Sequence, residues 1–81
     1  MFSSYGLYLN DIFFGIVNEG RLYIKTNNVT RKKFEAYGMQ PFAPSKKQVL
    51  KNYYEVPIEV IEDLFKLKNW ILESVRTTHI S

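Results

Sequence analysis

The stretch "YGLYLNDIFFGIVNEGRLYIK", residues 5–25, decides how the rest of the chain must be read. It is too aromatic and β-branched for a loop, and it is interrupted twice by turn-forming residues. Asn10-Asp11 separates "YGLYL" from "IFFGIV", and both residue types tolerate positive φ, so a tight hairpin is expected there. "NEG", residues 18–20, puts Gly20 where a three-residue hairpin wants a left-handed residue and leads into "RLYIKT". Three antiparallel strands follow from these two turns.

The alternation of side chains then sorts the residues. With Leu9 opposite Ile12 and Val17 opposite Arg21, one face carries Tyr5, Leu7, Leu9, Ile12, Phe14, Ile16, Leu22 and Ile24. That face is the expected core. Tyr8, Phe13, Val17, Arg21, Tyr23 and Lys25 share the other, and Gly6, Gly15 and Tyr23 would form one row across it. A ring lying over glycines restores packing that the glycines cannot supply. The second face is amphipathic, and Tyr8, Phe13, Arg21, Tyr23 and Lys25 are its candidate partner contacts.

Outward from the meander, "TNNVTRKKFEAYG" predicts a helix capped by Asn27 or Asn28 and ended by Gly38. "MQPFA" and "QVLKNYYEV" predict two further strands around a Pro44–Lys47 loop, with Tyr53 and Tyr54 on opposite faces. Pro57 suits the first turn of a helix, and Asp63 can cap a second segment. In that segment Leu64, Leu67, Trp70, Ile71 and Val75 recur at helical spacing. The expected fold is a single α+β domain over residues 1–81, in two layers. One antiparallel sheet of about five strands, in the order β-β-β-α-β-β-α, carries its helices on one face.

Composition narrows the function. The chain has 81 residues, 46% apolar and 16% aromatic, a folded domain rather than a disordered one. It has no cysteine, which excludes disulfides, thiolate nucleophiles and cysteine metal sites. The lone histidine, His79, sits in the C-terminal tail without partners in the sequence. Glu59, Glu62 and Asp63 read as acids favoured at a helix start rather than as metal ligands. Ser3, Ser4, Ser45 and Ser74 lack a nucleophile context, and the four glycines never form a phosphate-cradling loop. No enzyme, metal or cofactor is expected. Asn10, Asp11 and Asn18 interrupt the apolar runs well short of a membrane span, and there is no signal-peptide pattern, so a cytoplasmic protein is expected.

The net charge of +3 is mild. An alternative reading as a small basic nucleic-acid-binding protein would use Arg31, Lys32, Lys33, Lys46 and Lys47, with exposed rings as stacking platforms. The strand order does not match an RNA-recognition motif, and a charge-dotted solvated face is the plainer account.

Three segments carry a family resemblance. "MFSSYGLYLNDIFFGIVNEGRLYIKT" (1–26), "RKKFEAYGMQPF" (31–42) and "NYYEVPIEVIED" (52–63) together resemble the N-terminal domain of the TfoX/Sxy competence-regulator family. The resemblance implies a bacterial protein that acts, without catalysis, around the expression of DNA-uptake genes. It also implies the cyclic AMP receptor protein as a partner. Members usually carry a helix before the M-F opening, so a fold lacking that first helix is expected here. Ser3-Ser4 stands where relatives commonly carry two glycines. Large apolar side chains left wet forfeit about 1.5–3 kcal/mol each, which predicts a homodimer that covers the sheet.

Overall fold

The two turns form where the residue types allow them. In the computed structural model, which describes residues 4–80, β1 (Ser4–Leu9) and β2 (Ile12–Asn18) are joined by Asn10 and Asp11. Both are at positive φ, 52° and 66°, as a two-residue type I′ turn requires. Glu19 and Gly20, at φ 52° and 76°, repeat that turn between β2 and β3 (Arg21–Lys25). The second loop is therefore one residue shorter than expected, and Arg21 pairs with Asn18 instead of Val17.

A β-bulge changes the faces. Leu7 pairs with Gly15 but Tyr8 pairs with Phe13, so Phe14 is an extra residue in β2. Because side chains alternate with period two, one inserted residue moves everything beyond it to the other face. Val17 thus joins Tyr5 and Leu22 on the core face, and Ile16 lines up with Gly6 and Tyr23 on the second. The expected placements of Ile16 and Val17 are reversed, and the row across the second face is Gly6–Ile16–Tyr23, without Gly15. Two contacts favour this register. The hydroxyl of buried Ser74 donates to the Phe14 carbonyl at 3.2 Å. At Gly15 a Cβ would lie 2.8 Å from the Tyr23 carbonyl oxygen, so only glycine lets the strands approach.

The remaining elements follow their local signals. Asn27 Oδ1 accepts the N–H groups of Val29 and Thr30 at 2.9 and 2.8 Å, and Thr30 Oγ1 accepts the N–H of Asn27. This reciprocal cap starts α1 (Thr30–Ala36), and Gly38, at φ 77°, turns the chain away after it. β4 (Pro41–Ser45) and β5 (Gln48–Glu55) enclose a turn at Lys46-Lys47, so Pro44 and Ser45 complete a strand rather than open a loop. Pro57 precedes the short α2 (Ile58–Ile61). Asp63 Oδ1 accepts the N–H groups of Phe65 and Lys66, which caps α3 (Leu64–Ile80).

The sheet is antiparallel throughout, in the order β1-β2-β3-β5-β4. Helices cover its core face, giving the expected two-layer α+β arrangement. Phe14, Ile24, Phe34, Tyr54, Val56, Val60 and Trp70 form the buried centre. Phe34 meets the edge of Trp70 at 4.8 Å between centroids and stands 6.0 Å from Tyr54, which ties α1, α3 and β5 together. Such ring pairs add about 0.5–1.5 kcal/mol beyond the area they bury. α3 lies over β2 and β3, which leaves Tyr5 and Leu9 of the edge strand β1 exposed on the helix side.

Candidate interaction surface

The second sheet face is built from β1, β2, β3 and β5. Tyr8 and Phe13 are cross-strand partners with ring centroids 5.2 Å apart, and Phe13 continues to Tyr53 at 5.9 Å. These rings rest on Gly6, where a Cβ would meet Phe13 Cε1 at 2.9 Å and Tyr8 Cε1 at 3.2 Å. The glycine is covered as expected, but by Phe13 and Tyr8 rather than by Tyr23. Tyr8 is 66% exposed, Phe13 and Tyr53 are half-buried, and Lys25 pairs directly opposite Tyr53. The result is an aromatic row of three rings with a cation beside it.

The other end of this face is occupied by the protein itself. Tyr23 packs on Phe42 at 4.6 Å, and Phe42 is buried although it lies outside the central core. Phe42 and Pro44 border a common hollow with Ser4 and Asn18, so β4 folds over that end of the face. The Arg21 guanidinium donates to Glu55 at 3.2 Å. All five expected contacts share one face: Tyr8, Phe13 and Lys25 lie at the aromatic row, Tyr23 packs on Phe42, and Arg21, its side chain 63% exposed, pairs with Glu55. Tyr53 completes the row, and its doublet with Tyr54 is the signal in the sequence, since Tyr54 is the one buried in the core.

Two phenols on this face titrate above their ordinary value of 10.0. Burial is the first cause for Tyr23, reinforced by the Glu55 carboxylate and partly offset by Arg21. Burial alone raises Tyr53. Both stay neutral, as hydrogen-bonding rims to flat apolar rings.

The candidate nucleic-acid contacts divide in the same manner. Arg31 donates through Nη2 to Asn52 Oδ1 at 3.1 Å. Lys33 is paired with Glu73 and lies 4.3 Å above the Trp70 ring centre. Lys32 is exposed on α1, and Lys46 and Lys47 are exposed at the β4–β5 turn. Two of the five cations are thus used in packing. Among the described residues no three His, Asp or Glu side chains gather where a metal could be held. Ser3 and the side chains of Ser45 and His79 lie outside the described residues. Among the described residues, no helix is long and apolar enough to cross a membrane.

A further surface, on the helix side, runs between β1 and α3. Leu9, Leu64, Leu67, Lys68, Ile71 and Leu72 line a largely apolar groove of about 340 Å³. A second hollow of about 460 Å³ continues it along Asn10, Ile12, Val75 and Arg76, again bounded by Leu9 and Leu72.

The family model described as the TfoX N-terminal domain matches residues 1–78. The DNA transformation protein TfoX1 of Aliivibrio fischeri (strain ATCC 700601 / ES114) is 34% identical over 58 residues, covering 69% of this chain. That alignment spans only 28% of the relative's length. No solved structure matches.

Proposed function

The chain belongs to the TfoX N-terminal domain family, and from that premise we propose that it is a non-enzymatic protein-interaction domain serving the regulation of DNA-uptake genes in a bacterial cytoplasm. The observation that supports this reading is the open row Tyr8–Phe13–Tyr53 with Lys25 at its side. Aromatic residues are enriched in protein contacts, and tyrosine is among the side chains that carry most of their binding energy. The relative's name links it to DNA transformation, and the partner proposed here is a transcription factor of the cyclic AMP receptor protein type. The row's near-neutral, flat chemistry suits a protein surface better than a phosphate backbone, and Arg31 and Lys33 are already engaged within the fold.

The test is an uptake-gene reporter in cells deleted for this chain, complemented with the native protein or with Tyr8→Ala and Lys25→Glu. Reporter output is expected to fall on deletion, to return with the native chain and to stay low with the variants. Unchanged output on deletion would sink the proposal. Titration with duplex DNA at low salt separates the nucleic-acid reading: binding that steepens as salt falls and weakens on neutralising Lys32, Lys46 and Lys47 would favour it instead.

A further inference from the structure

The outer edge of β1 is unlike the opposite edge of the sheet. β4 carries Pro41 and Pro44, which withhold backbone donors and discourage strand addition. β1 reads Ser-Tyr-Gly-Leu-Tyr-Leu, with no proline and no charge. Edges of this kind are templates for another strand. The groove between β1 and α3 opens beside the same edge, bounded by Leu9, by Leu64 at 78% exposure and by Leu72. Tyr5, 64% exposed, stands at the other end of β1 on the same side of the sheet as Leu9.

We propose that β1 pairs antiparallel with β1 of a second copy of this chain, about a two-fold axis at Leu7, with each Tyr5 ring covering the other copy's Leu9 groove.

The register follows from strand geometry. Residues facing each other across an antiparallel pair point to the same side, so a two-fold axis within β1 must pass through a residue and not between two. An axis at Gly6 would leave Leu9 beyond the paired segment. An axis at Leu7 places Leu7 opposite Leu7 and Tyr5 opposite Leu9 on the helix side, with Gly6 opposite Tyr8 on the second face. The large exposed ring then meets the hollow next to Leu9, and a glycine meets a ring. The register selects the occupant, because a second copy brings an exposed Tyr5 to each Leu9 groove. Two copies of a chain with net charge +3 repel except where their surfaces carry no charge. β1 is such a surface, and the adjoining hollows are mostly apolar, with Lys68 and Arg76 among the residues that line them. This pairing goes beyond the proposed function and does not rest on it.

The chain contains no cysteine, so single introduced thiols report the register without background. At Leu7→Cys the two thiols would face each other across strands with Cα atoms about 4.5–5.5 Å apart, within disulfide reach. At Tyr5→Cys they would be offset by four residues, about 13 Å, and out of reach. Sedimentation over the micromolar range is expected to show a dimer, and mild oxidation to cross-link Leu7→Cys and not Tyr5→Cys. Tyr5→Lys, on an exposed side chain that folding does not need, is expected to weaken the dimer by about tenfold or more. A monomer at every concentration would overturn the proposal and leave the edge to a different occupant. A dimer that cross-links better at position 5, or that Tyr5→Lys does not weaken, overturns it equally. Neither result bears on the uptake reporter, so the two readings fail separately.

Discussion

Ser74, on the last helix, donates its hydroxyl to the carbonyl of Phe14, the extra residue of the β2 bulge, at 3.2 Å. Ser74 is 2% exposed, so neither group has water to fall back on. A serine without catalytic context thus serves the fold, because it satisfies an acceptor where the strand ladder is broken. Ser74→Ala removes that donor from the core and is expected to cost about 1–3 kcal/mol. Denaturant unfolding measures it, and a shift within error of zero would show that the bond contributes little.

The two strand glycines should respond differently to alanine. At Gly15 the new methyl meets backbone, the Tyr23 oxygen at 2.8 Å, and the β2–β3 ladder must shift. A loss of about 1–3 kcal/mol is expected, as for other overpacked sites. At Gly6 the nearest atom is Cε1 of the Phe13 ring, and the row Tyr8–Phe13 must give. Gly6→Ala should therefore disturb the second face more than the fold, seen as altered tyrosine fluorescence with a smaller change in melting temperature. Equal destabilisation at both positions would contradict this.

Alkaline pH should loosen the domain through Tyr23 and Tyr53. Both phenols titrate above 10.0 in the folded state, chiefly because burial opposes the charged form. The folded protein therefore holds its protons longer than the unfolded chain. Their contribution is fully present below about pH 10 and is lost as pH rises through the folded-state values. Denaturant midpoints followed into that range should fall, and Tyr53→Phe should fall less steeply than the native chain. An unchanged slope in the variant would remove Tyr53 from the account.

Lys33 bridges α1 and α3 by pairing with Glu73 while lying over Trp70. Because the pair is partly solvated, only about 0.5–1 kcal/mol is expected to be lost in Lys33→Met, which keeps the apolar stem. Added salt should shrink the difference between native and variant. A larger loss, insensitive to salt, would mean that the stem and not the charge holds the helices.

The parts of the fold legible in the sequence are those set by neighbours along the chain. Asn10-Asp11, the Asn27 cap, Gly38, Pro57 and Asp63 act over two to four residues, and each appears where its chemistry places it. The bulge is not legible, because Phe14 is an ordinary strand residue and its carbonyl partner lies 60 positions away. Gly15 is the one local cue, and simple alternation makes it a member of a row rather than a close approach of strands. Phe14 faces the core as expected, but the unrecognised bulge misplaces Gly15 and then Ile16 and Val17. The candidate surface behaves similarly. Tyr8, Phe13 and Lys25 follow from alternation alone, whereas the packing of Tyr23 on Phe42 and the pairing of Arg21 with Glu55 are contacts that no pattern in β3 announces.

The bond between Ser74 and Phe14 also orders events in time. The meander β1–β3 closes through two-residue turns, so its contacts are local and can form early, while the acceptor at Phe14 waits for a donor 60 positions further along the chain. Before α3 docks, the meander resists a slip that would straighten the bulge and exchange Ile16 with Val17 through the close approach at Gly15, and the Ser74 bond then adds a second restraint. The last helix thus acts as a late check on the first hairpin's alignment. Ser74→Ala is accordingly expected to speed unfolding while leaving the folding rate nearly unchanged, the signature of a contact made after the transition state.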